Sequence, residues 1–254
     1  MRLATFNILH GRSLVDGAVD VDRFAAAVRD LDADVLALQE VDRDQPRSHG
    51  ADLTRVAAEA MGATEHRFAA TLHGLPGLWT AASGEAQPRA AGYGIALLSR
   101  YPVRDWRIVS LPRLRRRVPL RWHGAKLPSL VRDEPRAALV GLVDAPGGTL
   151  TVVGTHLSVI PGWGPRQLRQ LVEETRTLPR PLVLMGDLNI AGTRPARLSG
   201  MRPLATAPTF PVGTPVRQID HILADGPLRV VTAARAVDTG VSDHRALVVD
   251  VALG

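Results

Sequence analysis

The feature that most constrains the fold is a series of short, nearly continuous apolar runs, several of which stop at a polar residue. They predict strands over residues 2–9, 34–38, 94–98, 137–143, 149–155, 181–185, 219–223 and 247–251. A run that does not alternate suits a strand buried on both faces, although periodicity alone leaves short buried helices as a competing reading. Amphipathic spacing predicts helices over 21–31, 51–61 and 165–178, with Phe24, Ala27, Val28 and Leu31 on one face of the first and Asp20 as its N-cap. The order is strand, helix, strand, helix, then mostly strand. That order indicates a mixed α/β protein with helices packed outside sheets.

At 254 residues the chain fits one large domain or two small ones, and a single domain of this size buries roughly 70 to 75% of its unfolded surface. Neither a repeat nor an interdomain linker is visible, so one domain over 1–254 is expected. The absence of cysteine excludes disulfides, thiolate catalysis and Cys-based zinc or iron–sulfur sites. No run approaches the roughly 18 to 20 apolar residues of a membrane span. The first nine residues lead into a polar turn at 10–12 rather than a signal-type cleavage site. The expectation is a soluble, cytoplasmic protein with no protein partner implied.

A net charge of +6 suits an anionic partner. Lys126 is the only lysine, so 30 of the 31 basic residues are arginine, a bias that reflects coding as much as binding. Arginine keeps its fork geometry for phosphate in either case. Residues 74–92 and 111–135 read as long loops. The second holds Arg113, Arg115, Arg116, Arg117 and Arg121. This cluster can track a nucleic-acid backbone, with steep salt dependence, meet anionic lipid with help from Trp106, Leu120 and Trp122, or be a solvated loop.

Glu40 closes the run Asp34-Val35-Leu36-Ala37-Leu38-Gln39-Glu40, and Asn7 stands similarly after Leu3-Ala4-Thr5-Phe6. A hard cation such as Mg²⁺ takes oxygen ligands, often only one or two of them protein carboxylates, a pattern that Glu40 with the Asn7 amide oxygen would meet. Taken singly, they read as a surface carboxylate and a turn asparagine. Gly186-Asp187-Leu188-Asn189 follows Pro181-Leu182-Val183-Leu184-Met185 directly. Glycine permits a tight turn or a close ligand, and alternation puts Asp187 and Asn189 on the same side of an extended segment. One can accept a proton from water and the other donate to a phosphoryl oxygen, with an Asx-turn as the local alternative.

Thr155-His156-Leu157-Ser158 closes another run, and Ser242-Asp243-His244-Arg245 precedes the last. Neutral imidazole favours zinc or iron, whereas histidinium donates to phosphate. Asp220, in Ile219-Asp220-His221-Ile222, is placed to orient one imidazole. His221 alternates to the opposite face and reads as structural.

In chain order, Thr5-Phe6-Asn7, Leu38-Gln39-Glu40-Val41-Asp42, Gly92-Tyr93-Gly94-Ile95-Ala96-Leu97-Leu98-Ser99, Gly154-Thr155-His156-Leu157, Gly186-Asp187-Leu188-Asn189, Ile219-Asp220-His221 and Ser242-Asp243-His244 resemble the endonuclease/exonuclease/phosphatase superfamily. That superfamily includes DNase I-like nucleases, exonuclease III-like repair enzymes, sphingomyelinases and inositol polyphosphate 5-phosphatases. Each piece is weak alone; the ordered set, from residue 3 to about residue 250, is specific. The resemblance implies an α/β fold, a four-layer α/β/β/α sandwich of two packed mixed sheets flanked by helices (DNase I-like). It implies Mg²⁺, with Mn²⁺ as the alternative, at Glu40 and Asn7, and Asp243 in support of the metal or the adjacent histidine. It further implies that Asp187 positions or deprotonates the attacking water, Asn189, His156 and His244 contact the phosphate, and Asp220 orients His244.

Arg136, in Glu134-Pro135-Arg136-Ala137, stands where some relatives carry a phosphate-contacting arginine; its ordinary reading is an ion pair with Asp133 or Glu134. Tyr93 and Trp163 are expected to border the substrate, with packing as the alternative. The activity implied is a divalent-metal-dependent phosphoester hydrolase, first of all a phosphodiesterase with nuclease-like chemistry. Two departures bear on substrate. Thr209-Phe210-Pro211 lacks the aromatic-rich continuation of exonuclease III-like enzymes, and aromatics make up only 4% of the chain, few for stacking single strands. A phospholipid head-group (sphingomyelinase-like) or small phosphomonoester hydrolase therefore stays open, as does a catalytically silent binding module. Intact residues at all eight site positions weigh against the last.

Overall fold

The computed structural model describes residues 1–82, 90–120 and 127–254; Arg121 and Trp122 of the arginine-rich segment lie outside the described residues. The first half of the chain gives β1 (Arg2–Asn7), α1 (Val21–Leu31), β2 (Val35–Arg43), α2 (Leu53–Met61), β3 (Glu65–His73), β4 (Thr80–Ala81), β5 (Gly92–Ser99), β6 (Val103–Leu111), β7 (Arg117–Leu120) and β8 (Ser129–Arg132). The second half gives β9 (Arg136–Ala145), β10 (Gly148–His156), α3 (Trp163–Glu174), β11 (Leu182–Asp187), α4 (Arg194–Ser199), β12 (Arg202–Pro203), β13 (Asp220–Asp225), β14 (Leu228–Val230), β15 (Arg235–Val237) and β16 (Ala246–Leu253).

One sheet runs β14-β16-β1-β2-β5-β3-β4, with β15 beside β16, and a second runs β12-β13-β11-β10-β9-β6. The pairs β1/β2 and β10/β11 are parallel within otherwise antiparallel sheets. The two-residue alternation of each strand explains the continuous apolar runs. In β2, Leu36 and Leu38 pack with Phe24 and Val28 of α1 and Leu53 of α2. Val35 and Ala37 point the other way, to Leu139, Val152 and Met185 of the second sheet. On that sheet's outer side, Val153 and Leu184 meet Leu168 and Leu171 of α3. The result is four layers, α/β/β/α, with an apolar core between each adjacent pair. No helix among the described residues is long and apolar enough to cross a membrane.

Asp20 caps α1 as expected, accepting from the Arg23 N–H, while α2 starts at Leu53 because Asp52 accepts from the Thr54 and Arg55 N–H groups. Several expected boundaries change. The first strand stops at Asn7, not at residue 9, because Leu9 and His10 take left-handed φ values of 44° and 48° in a tight turn. The third helix is Trp163–Glu174 rather than 165–178, ending where the Thr175 hydroxyl turns back to the Leu171 carbonyl. Segment 111–135 is not wholly loop, since β7 and β8 pair within it. Two long strands, β3 and β6, lack an expectation altogether. The first opens on Glu65-His66-Arg67, and the second is a sheet edge whose Arg104, Asp105 and Arg107 face solvent.

Candidate active site

Strand register carries the polar ends to one edge. Asn7 lies opposite Gln39 on parallel β2, and His156 opposite Asp187 on parallel β11. The antiparallel neighbours run the other way, so their beginnings reach the same edge. Asp220 starts β13 opposite Asp187, and Ser242-Asp243-His244 leads into β16, which pairs with β1. A cavity of about 530 Å³ opens there, lined by Glu40, Tyr93, Arg136, His156, Asp187, Asn189, Asp243 and His244 together with Phe210, Ile219 and Arg217. Leu120, Val131 and Arg132 of the β7/β8 pair form one wall.

Glu40 reaches the cavity through a bulge. The β2/β5 register shifts between Gln39 and Val41, and Glu40 itself has φ 59°, a conformation that costs on the order of 1 kcal/mol in a residue with a side chain and re-aims it. Asn7 Nδ2 then donates to Glu40 Oε1 at 3.0 Å and to Asp187 Oδ2 at 3.1 Å. Its Oδ1 accepts from the Leu9 N–H at 3.2 Å. The amide nitrogen, rather than the oxygen expected as a ligand, therefore faces the carboxylates.

The Asp187-to-Asn189 segment is not extended, as alternation alone predicts, but turned. Asn189 has φ 51°, and its N–H donates to Asp187 Oδ1 at 2.9 Å. This Asx geometry brings the Asn189 amide to the Leu157 carbonyl at 3.0 Å and to within 3.3 Å of His156 Nε2. His156 Nε2 is also 3.5 Å from Asp187 Oδ2. On the opposite side of Asp187, His244 Nε2 approaches Oδ2 at 3.8 Å, and its Nδ1 pairs with Asp220 Oδ2 at 2.9 Å. The expected pairing of Asp220 with His244 is thus formed. His221, as expected of the opposite face, is buried and contacts the Ile190 carbonyl through Nε2 at 2.9 Å.

Electrostatics separate these groups. Burial, followed by Asp220 beside it, raises the Asp187 carboxyl above the ordinary carboxylate range against the pull of His244. A carboxylate of raised basicity is suited to accept a proton. Burial alone would lower His244, but Asp220, with Asp187 and Asp243, carries it to about 10. Burial, Arg136 and His244 all push His156 well below its usual value.

The carboxylate oxygens of Glu40 and Asp243 have the chemistry of a hard divalent cation site, which Asn7 would join through its oxygen only with its amide turned over. Burial raises the Glu40 carboxyl and Asp243 adds to it, against the Asn7 hydrogen bond, Arg136 and His244; a cation held by these residues would relieve both effects. The residues fit such an ion. Asp187, Asp220 and His244 also place donor atoms within 4.8 Å of one another, a second spacing that a cation could use. Here His244 Nδ1 is already hydrogen-bonded to Asp220, while its Nε2 stands 3.8 Å from Asp187.

Sequence patterns did not single out several supporting residues. The Thr209 hydroxyl donates to Asp220 Oδ2, and the Phe210 ring lies 4.9 Å from the His244 ring. The Ser242 hydroxyl donates to the Asn7 carbonyl at 2.6 Å, latching the last loop onto β1. Arg47 forks onto buried Asp42 at 2.7 and 2.8 Å and lies over the Tyr93 ring. Ser242, inside Ser242-Asp243-His244, and Thr209-Phe210, ahead of the strand that starts at Asp220, were the available signals. Arg136 is more than the surface ion pair of its ordinary reading. It is buried, 3.2 Å from Glu134 and 2.9 Å from His156 Nδ1. Trp163 does not reach the cavity lining; its indole N–H donates to the Pro112 carbonyl at 2.8 Å and Arg166 stacks on its ring. Of the two aromatics expected beside substrate, only Tyr93 lines the cavity.

A family model described as the Endonuclease/Exonuclease/phosphatase family matches residues 4–244. No curated protein matches the sequence. Among solved structures, an endonuclease/exonuclease/phosphatase from Beutenbergia cavernae is 28% identical with a TM-score of 0.72, over 100% of this chain and 72% of that one. A mannosyl-6-phosphatase from Bacteroides thetaiotaomicron is 16% identical with a TM-score of 0.64 over 100% of both chains. Sphingomyelinase C from Streptomyces griseocarneus is 15% identical with a TM-score of 0.59 over 98% of both. The last two share the fold. Because the family match spans nearly the whole chain, the protein belongs to the endonuclease/exonuclease/phosphatase family and is a hydrolase of phosphoester bonds.

Proposed function

We propose that the protein is a divalent-metal-dependent phosphodiesterase that works as one domain and uses a water activated by Asp187. Glu40 and Asp243, with Asn7, would hold Mg²⁺, with Mn²⁺ as the alternative. Such an ion, when bound, supplies Lewis-acid polarisation of a phosphoryl oxygen and acidifies a coordinated water or the leaving oxygen. The observation that carries this reading is the convergence of residues 7, 40, 156, 187, 189, 220 and 244 on one cavity edge.

The chain's own groups divide the remaining work. Asp187, buried and of raised basicity, takes the proton of a water held in line with the phosphorus. Asn189 and the two histidines donate to phosphoryl oxygens, where charge accumulates, at positions set before substrate arrives. Asp220 and Thr209 hold His244 in orientation.

A second reading, hydrolysis of a phospholipid head group, has its own support. Leu120 and Val131 give the cavity an apolar wall, and the same segment exposes Leu127 and Leu130 as well as Arg115, Arg116 and Arg117. A sphingomyelinase C also shares the fold. A Mg²⁺-dependent panel of plasmid DNA, RNA, sphingomyelin vesicles, sugar phosphates and a bis-aryl phosphodiester distinguishes the readings. We expect cleavage of diesters ahead of monoesters. Sphingomyelin alone would favour the head-group reading, and no turnover on any substrate would overturn the phosphodiesterase reading.

A further inference from the structure

The two histidines of the cavity have partners of opposite charge. His244 Nδ1 faces the Asp220 carboxylate, whereas His156 Nδ1 faces the Arg136 guanidinium, each at 2.9 Å. A guanidinium has only donors, so Nδ1 of His156 must supply the lone pair. A neutral imidazole carries its single proton on the other nitrogen, here Nε2.

One contact competes with this assignment. Asn189 Nδ2 lies 3.3 Å from His156 Nε2, and a neutral ring cannot accept at both nitrogens. The Arg136 contact is shorter and charge-assisted, and Asn189 Nδ2 already donates to the Leu157 carbonyl at 3.0 Å. The Arg136 contact therefore decides. The Nε2–H then lies on the side of Asp187 Oδ2, 3.5 Å away, and of the cavity that both residues line.

Arg136 is itself held. Glu134 Oε2 lies 3.2 Å from its outer nitrogen. Neighbouring Asp133 accepts from the Leu114 N–H and from the Ser158 hydroxyl, two residues beyond His156. The segment that presents Arg136 is thus tied to the end of the strand that presents His156.

We propose that Arg136 is a positioning residue that holds His156 as a neutral imidazole protonated on Nε2. In that state His156 is a fixed hydrogen-bond donor toward a phosphoryl oxygen and does not deliver a proton to the leaving group. Its charged surroundings agree. Arg136 of β9 and His244 ahead of β16 oppose a third positive charge, and Asp187 of β11 lies on the Nε2 side. The role toward phosphate rests on the phosphodiesterase reading; the protonation state does not.

Long-range ¹H–¹⁵N spectra of the full chain, with His156→Gln to assign the ring, measure that state without turnover. We expect an Nε2–H pattern for His156 that persists from pH 8 to pH 5. A ring protonated on Nδ1, or one that titrates near its ordinary value of about 6.5, would overturn the proposal. In Arg136→Met the ring should titrate in that window and populate both tautomers, with Arg136→Lys restoring part of the pattern. With an active substrate, kcat of Arg136→Met should fall about 10- to 100-fold with an acid limb near pH 6.5 and little change in KM. A raised KM with an unaltered His156 spectrum would instead assign Arg136 to phosphate binding alone. If Arg136→Met does not fold, the wild-type spectrum decides.

Discussion

Asn7 Nδ2 donates to Glu40 and to Asp187 at once, so two carboxylates from opposite sheets share one donor. Comparable economy runs through the pocket, where Asp220 accepts from both His244 and Thr209. His221 stands beside this network without joining the cavity. Burial lowers its pKa, while its bond to the Ile190 carbonyl and nearby Asp220 oppose the shift. The folded state therefore binds fewer protons than the unfolded chain just below pH 6.5, and stability falls as pH drops from that point toward the folded value. Glutamine at this position can still donate to Ile190 but cannot titrate. Urea unfolding at pH 7 and pH 5 should show a steeper loss for the wild type than for His221→Gln, by up to about 1.4 kcal/mol per pH unit. Equal losses would mean that His221 is not held neutral.

At the scale of elements, the site depends on how closely β10 approaches β11. Gly186 has φ 152°, and a Cβ there would sit 1.9 Å from the Thr155 carbonyl oxygen, so Gly186→Ala must push apart the strands that end in His156 and Asp187. We expect a loss of about 1–3 kcal/mol or more in urea unfolding and a matching drop in activity; an unchanged midpoint would contradict this packing. The strands that carry the site were legible because both of their faces are buried, which leaves an unbroken apolar run with a polar residue at its end. By contrast, β3 and β6 mix charged residues into their sequence, since part of each faces solvent. The bulge at Glu40 was not legible, because it arises from a left-handed residue that is neither Gly nor flagged by spacing, whereas the turn at Asn189 is the Asx-turn that the sequence offered as the alternative to an extended segment. The setting of Arg136 was not legible for a related reason. Its burial comes from strands and loops remote in the chain, and nothing in Glu134-Pro135-Arg136 announces His156 as its partner.

At the scale of the molecule, two sheets pack face to face and bring residues 7 and 244 to the same edge, which is why an ordered set of weak motifs carried more than any one of them. The β7/β8 pair lines one wall of the cavity, and the spacing of its residues has no period to read. On our proposal this edge hydrolyses phosphoesters with Asp187 as the group that takes the proton from water. Its most direct test is the Mg²⁺-dependent turnover of a bis-aryl phosphodiester by the wild type and by Asp187→Asn, with thermal unfolding of both proteins alongside. We expect a fall in kcat of about 10²- to 10⁴-fold with the fold retained. Near-normal turnover by folded Asp187→Asn would contradict it.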